Sequence, residues 1–209
     1  MGKPAIGGLY AVIDPARVEP GRLLPMTRAI LEGGASVVQL RDKISTARDY
    51  VHLARQVGKL CRAQTVPFIV NDRVDVAMAS GADGVHVGPE DISVEDVREI
   101  LGSDAIVGAS AGTVEAAVVA EAQGADYLGV GAIYEARSSK PNASAPRGPE
   151  AIAEIVEKVA IPVIGIGGIG VANSEAVMAH GAHGVAVISA LMEADDPRGA
   201  AKQLASIVQ

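Results

Sequence analysis

Short apolar runs recur along the chain, each halted by polar residues or glycine. Between them lie longer stretches in which apolar positions return with helical spacing. Taken in order, the runs predict eight strands near Leu9–Ile13, Ser36–Leu40, Pro67–Val70, Gly84–Val87, Ala105–Ala109, Tyr127–Val130, Pro162–Ile166 and Gly184–Ile188. The helical spacings predict segments near Leu23–Glu32, Ala47–Ala63, Arg73–Ala79, Val94–Ile100, Val114–Ala122, Pro149–Val159, Asn173–Ala179 and Pro197–Val208. A short repeat marks the joins. Gly34-Ala35-Ser36-Val37-Val38 is echoed by Gly81-Ala82-Asp83-Gly84-Val85, Gly124-Ala125-Asp126-Tyr127-Leu128 and Gly181-Ala182-His183-Gly184-Val185. Each glycine follows a helical stretch and precedes an apolar run. Glycine ends helices in the left-handed conformation, so the unit reads as helix, stop, buried strand.

Strands that are apolar throughout and alternate with helices form parallel sheets covered on both faces. Eight such units in 209 residues fit one compact (β/α)8 TIM barrel spanning residues 1–209. An open doubly wound sheet is the rival arrangement. The segment from Gly131 to Gly148 is too long for a plain connection and follows the sixth strand. A long loop on that face of a barrel is expected to act as a lid.

Composition removes several function classes. Aromatics make up 2% of the chain and the net charge is −7, so neither base stacking nor a duplex-binding surface is expected. An acidic protein that handles anions must gather its cations in a cleft. The single cysteine, Cys61, excludes an internal disulfide and reads as a helix core residue in a reducing, cytoplasmic setting. No basic segment followed by an apolar one opens the chain, and glycine and histidine interrupt the C-terminal apolar runs. No leader and no membrane span are therefore expected. The oligomeric state, monomer or homo-oligomer, stays open.

The candidate chemistry sits where strands end. Alternation sets Gln39, Arg41 and Lys43 on one side, with Leu40 and Asp42 on the other. Two cations and an amide facing one way suit a polyanion; a solvated strand end is the plain alternative. The run Pro67-Phe68-Ile69-Val70 stops in Asn71, Asp72 and Arg73. Asp72 is either an N-cap for the next helix or an oxygen ligand for Mg²⁺, which needs only one or two carboxylates. Asp91 is the second candidate, or a turn acid ahead of a Ser93 cap. Gly165-Ile166-Gly167-Gly168-Ile169-Gly170, with Ile188-Ser189-Ala190, follows the last two strands, where barrels bind phosphate. Tight packing is the alternative. His86, inside its strand, reads as a hydrogen-bonded core residue. No serine, histidine and aspartate order and no paired histidines suggest acyl transfer or zinc.

Taken together, these segments resemble the thiamine phosphate synthase family over nearly the whole chain. The matching stretches are Leu9-Tyr10-Ala11-Val12, Val38 to Lys43, Ile69 to Arg73, Gly84 to Asp91, Tyr127 to Gly131, Ile164 to Ile169 and Val185 to Ser189. The resemblance implies a Mg²⁺-dependent transferase in a TIM barrel. It would join 4-amino-2-methyl-5-(diphosphooxymethyl)pyrimidine to a thiazole phosphate, giving thiamine phosphate and pyrophosphate. It implies Asp72 and Asp91 as metal ligands, and Gln39, Arg41, Lys43, Asn71, Ser110 and Lys140 on the pyrimidine diphosphate. Arg41, Lys43, Lys140 and Ser110 are the expected catalytic set, acting on small phosphorylated substrates. Gly168, Ile188 and Ser189 would hold the thiazole phosphate. The implied route is dissociative: pyrophosphate leaves, and the thiazole nitrogen attacks the methylene cation. In place of the family's Thr-x-Thr-Lys the chain reads Arg137-Ser138-Ser139-Lys140, so Ser138 and Ser139 are expected in the substrate site. Two alternatives remain: a thiazole tautomerase-like isomerase, and a barrel that binds thiamine intermediates without turnover. The tautomerase has histidine where this chain has Gly112, which favours the synthase.

Overall fold

In the computed structural model, which describes residues 3–135 and 145–208, the parallel strands close into a barrel in sequence order. They are β1 (Gly8–Ile13), β2 (Val37–Leu40), β3 (Phe68–Asn71), β4 (Gly84–Val87), β5 (Ile106–Ser110), β6 (Tyr127–Val130), β7 (Val163–Ile166) and β8 (Gly184–Val187). The β1–β8 pairing, from Gly8 opposite Gly184 to Ala11 opposite Val187, shuts the cylinder. The rival open sheet is thereby excluded, and none of the eight described strands is left with an unpaired edge.

The helices on the outside are α1 (Leu23–Glu32), α2 (Ala47–Ala63), α3 (Val74–Ser80), α4 (Val94–Leu101), α5 (Val114–Ala122), α6 (Glu150–Val156), α7 (Ser174–Ala179) and α9 (Pro197–Ile207). A short extra helix, α8 (Ser189–Met192), follows β8, and a 3-10 turn spans Pro15–Arg17 after β1. Neither carries enough periodicity to be predicted. Ile188, expected to end the last strand, instead caps α8. The helix α6 stops at Val156 rather than Val159. Glu157 closes it, its N–H donating to the Ala153 carbonyl at 3.2 Å.

Strand alternation divides the core into two layers. Leu9, Ala11, Ile13, Val38, Leu40 and Val70 pack with the helices. Tyr10, Val12, Val37, Ile69, Ile106, Tyr127 and Ile164 fill the barrel interior. The joining repeat acquires a physical reason. Gly34, Gly81, Gly124 and Gly181 all have φ between 68° and 100°, the left-handed region. The residue two places later clasps the neighbouring strand. Asp83 accepts from the Phe68 N–H (2.7 Å), Asp126 from Val107 N–H (2.7 Å), and His183 Nδ1 from Val163 N–H (3.1 Å). Ser36 Oγ donates to the Leu9 carbonyl at 3.0 Å. Each even-numbered strand is thus tied at its entry to the strand before it. Asp83→Ala would leave the Phe68 N–H without its acceptor, so a loss of about 1–2 kcal/mol is expected in denaturant titration.

Candidate active site

The C-terminal ends of the strands gather most of the residues singled out in the sequence. Past β2 the chain continues its alternation. Gln39, 5% exposed, points into the barrel, where its Nε2 donates to Tyr10 Oη at 2.8 Å. Arg41 donates to Asp14 Oδ2 at 2.6 Å. Lys43 forms a close ion pair with Asp72. Asp42 turns the other way and is buried; its Oδ1 accepts from the Ile44 and Ser45 N–H groups at 3.0 and 2.9 Å. That turn presents Lys43 to the end of β3.

Asp72 is not an N-cap. Arg73 occupies that position in α3, without a side-chain cap bond, and its guanidinium pairs with Asp75. Asp72 has φ +60°, a left-handed conformation that aspartate tolerates better than most side chains. Its N–H donates to the His86 carbonyl at 2.8 Å. This unusual backbone aims the carboxylate at Lys43 and Asp91 instead of along the helix. Asn71 sits half-buried at the last position of β3, opposite His86 in β4.

Asp91 accepts from the Gly88 N–H at 2.8 Å, and Ser93 caps α4, so the turn-acid role is real. A second role is open to the same side chain, because its carboxyl also meets that of Asp72. Partial burial raises the Asp91 carboxyl above its ordinary range; the Gly88 N–H opposes this, the Asp72 carboxylate adds to it, and Lys43 opposes it. Two carboxylates pressed together beside one lysine favour a divalent cation. No group of three or more histidine, cysteine, aspartate or glutamate side chains able to hold a metal occurs among the described residues. The two paired carboxylates, oxygen donors only, fit what Mg²⁺ takes: one or two carboxylates, with water and phosphate oxygens completing its octahedron.

A polar chain crosses the barrel interior beneath these groups. Tyr10 Oη and Tyr127 Oη are 2.7 Å apart, Tyr127 Oη and His86 Nδ1 3.1 Å, and His86 Nε2 and Ser110 Oγ 2.9 Å. His86 is thus a hydrogen-bonded interior residue, as its place in a strand suggested. Ser110 is exposed at the last position of β5. On the opposite side, Gly167 and Gly168 adopt φ of 101° and 65° after β7. A Cβ on Gly168 would lie 2.7 Å from the Glu135 carbonyl oxygen, so the glycine lets the segment after β6 pack against it. Asn173 pins this turn, accepting from Gly170 N–H (2.8 Å) and donating to the Gly168 carbonyl (3.0 Å). Ser189 opens α8 beside it, exposed, with Ile188 half-buried. This strand-seven turn with a short extra helix is the usual phosphate-binding arrangement of barrels.

Ser138, Ser139 and Lys140 lie outside the described residues. The stems of their loop are joined: Arg147 N–H donates to the Ala132 carbonyl and Gly148 N–H to that of Ile133, each at 3.0 Å.

Two residues escaped sequence reasoning. Asp14 follows β1 and is 2% exposed. It looks like an ordinary turn former, and indeed accepts from Ala16 N–H at 2.9 Å. Only closure of β1 against β2 reveals it as the counterion of Arg41. Arg147 lies far along the chain, yet its guanidinium sits within 4 Å of where a side chain on Gly112 would begin. A cavity of about 430 Å³ outside the barrel, lined by His52, Arg55, Lys59 and Arg62, is also basic. There Arg55 and Arg62 donate to the carbonyls of Ala79 and Gly81, so they finish the end of α3. Burial pushes the Cys61 thiol up to about 12, with Asp83 adding to the effect, which leaves it inert as a nucleophile.

A sequence model described as thiamine monophosphate synthase matches residues 9–191. A thiamine-phosphate synthase of Roseiflexus sp. (strain RS-1) is 48% identical over 206 residues, covering 98% of this chain and 87% of that protein. One from Clostridium novyi is 41% identical over 199 residues, covering 95% and 97%. Among solved structures, a thiamine phosphate pyrophosphorylase from Pyrococcus furiosus superimposes with a TM-score of 0.87 at 41% identity, covering 96% of this chain and 94% of that one.

Proposed function

The chain belongs to the thiamine monophosphate synthase family, and from that premise we propose that it joins an aminopyrimidine methyl diphosphate to a thiazole phosphate, releasing pyrophosphate. The observation that carries this reading is the convergence of Lys43, Asp72 and Asp91 at the barrel mouth, with Arg41 on the adjoining strand end.

The leaving diphosphate accumulates negative charge, so the rate depends on cations already in place. Mg²⁺, held by Asp72 and Asp91, would supply charge neutralisation to the departing group. Arg41 is oriented by Asp14 and presents its remaining guanidinium donors to phosphate oxygens. Lys43, already resting on Asp72, shifts between that carboxylate and the diphosphate. Lys140 completes the cationic set in this reading. Ser110, Gln39 and Asn71 orient the pyrimidine; Gly168, Ile188 and Ser189, with Ser138 and Ser139, hold the thiazole phosphate against the methylene carbon. No general base is needed, because the nucleophile is an unprotonated ring nitrogen. An isomerase reading requires a proton carrier near Gly112, and the side chain that reaches that glycine is Arg147, a poor one. Substrates of this kind belong to the cytoplasm. No helix among the described residues is long and apolar enough to cross a membrane.

Mixing the chain with both substrates and Mg²⁺ should release pyrophosphate in step with thiamine phosphate. Tight thiazole phosphate binding without release would leave the non-catalytic barrel as the better description. Proton competition gives a second expectation. The Asp91 carboxyl binds its proton more tightly than an ordinary aspartate. Mg²⁺ must displace that proton, so affinity should fall as pH drops through this raised range. Calorimetric titration with Mg²⁺ at pH 7.5 and pH 5 checks this; equal affinities at both would contradict it.

A further inference from the structure

One face of α2 is basic along its whole length. Arg48, His52, Arg55, Lys59 and Arg62 recur at spacings of four, three, four and three residues. At about 100° per residue, the five fall within roughly 80° of arc. The protein carries a net charge of −7, so its basic side chains have acids to spare. These five do not take them: no ion pair among the described residues includes any of them. The acids of α2 and α3 are engaged elsewhere, Asp49 with the Thr46 hydroxyl and Asp75 with Arg73.

His52, Arg55, Lys59 and Arg62 line the cavity of about 430 Å³, together with Gln56 and Ser80. Two of its guanidiniums are anchored. Arg55 gives both Nε and Nη2 to the Ala79 carbonyl, at 3.3 and 2.8 Å, which leaves Nη1 with no described partner. Arg62 Nη1 reaches the Gly81 carbonyl at 3.4 Å, which leaves Nε and Nη2. Gly58 makes room beneath it, since a Cβ there would lie 3.2 Å from Phe68 Cδ1 and 3.3 Å from Arg62 Nη1. Anchored arginines have less freedom to lose on binding, and their planar forks match phosphate oxygens. The lining holds no carboxylate and no apolar side chain. An apolar ligand, a nucleobase or the apolar anchor of a docking protein finds no matching contact there. A compact anion that meets several cations at once does.

We propose that this cavity on the outer wall of the barrel binds linked phosphates, as an inorganic oligophosphate or as the same group on a larger molecule, through His52, Arg55, Lys59 and Arg62. Arg55 and Arg62 stand two turns apart, about 10 Å along the helix axis. One phosphate does not cover that span, and a chain of two or three does. α3 begins beside the barrel mouth and runs back from it, so Ala79 and Gly81 put the cavity toward the opposite end from Lys43, Asp72 and Asp91. The site therefore requires nothing of the functional reading above.

The test is side-chain ¹⁵N spectroscopy of the full chain, without Mg²⁺, during titration with inorganic triphosphate. The Arg55 and Arg62 Nε–H signals should move together and saturate at sub-millimolar concentration, while sodium chloride of equal ionic strength leaves them in place. Arg41 reports separately on the barrel mouth. Signals that never saturate, that follow sodium chloride equally, or that move at Arg41 alone overturn the proposal. ATP carries the same three phosphates and should bind about as tightly; a clear preference for ATP would mean that the cavity reads the nucleoside, and overturns it. So does a poly-glutamate peptide that moves the signals at lower concentration than triphosphate, since the face would then dock a protein. His52→Gln combined with Lys59→Gln leaves the anchoring bonds of Arg55 and Arg62 in place. It should weaken triphosphate binding about tenfold and keep pyrophosphate release within about twofold of wild type. Unchanged binding in that variant overturns the proposal, and the wild-type spectra decide it if the variant does not fold. A chain that releases no pyrophosphate fails the functional reading and leaves this inference standing.

Discussion

Replacing Asp72 by asparagine is expected to slow pyrophosphate release by about a thousandfold, with no recovery at high Mg²⁺. Asparagine is the informative substitution because it tolerates the left-handed backbone at φ +60° as aspartate does. It keeps the shape and the backbone bond to His86, and removes the charge together with one acceptor oxygen. That charge faces both Lys43 and Asp91. Without it a divalent ion bound here would keep a single protein carboxylate, and the several kcal/mol it would lend to a departing diphosphate would be largely lost. Added metal cannot compensate, since the missing element is a ligand and not occupancy. Single-turnover measurement of pyrophosphate release across a Mg²⁺ series decides the matter. A rate within tenfold of wild type would remove Asp72 from the metal site.

Arg41→Ala should damage both activity and stability, and a second substitution should separate the two. Arg41 and Asp14 form a pair with side chains 13% and 3% exposed. Removing the arginine strands a buried carboxylate, at a cost of about 3 kcal/mol. For a chain of this size that lowers the melting temperature by roughly 10 °C. The loss of a guanidinium from the diphosphate should cut kcat/KM by about a hundredfold. Adding Asp14→Asn to Arg41→Ala removes the stranded charge while keeping an oxygen for the Ala16 N–H, so thermal stability should return and activity should not. Activity that recovered along with stability would mean that Arg41 acts only as a structural partner.

The sequence was legible wherever local chemistry sufficed. Gly81 ends its helix in the left-handed region because the chain needs that turn whatever surrounds it, and the apolar run after it has only a buried strand open to it. The strand-end groups were legible for the same reason, since alternation alone puts Gln39, Arg41 and Lys43 on one side. The third residue of the repeat was not: Asp83 and His183 read as ordinary polar positions until the adjacent strand supplied an N–H for each.

The amino-acid order by itself determined the eight alternating units, their glycine stops and the two acids, because periodicity and turn chemistry act between residues close in the chain. Only the closed barrel decided that Asp72 turns to Lys43 and Asp91 instead of capping α3, that Asp14 neutralises Arg41, and that His86 joins a line running from Gln39 to Ser110. Those pairings join strands far apart in sequence, and a carboxylate or imidazole acquires its partner from the cylinder's geometry, not from its neighbours along the chain.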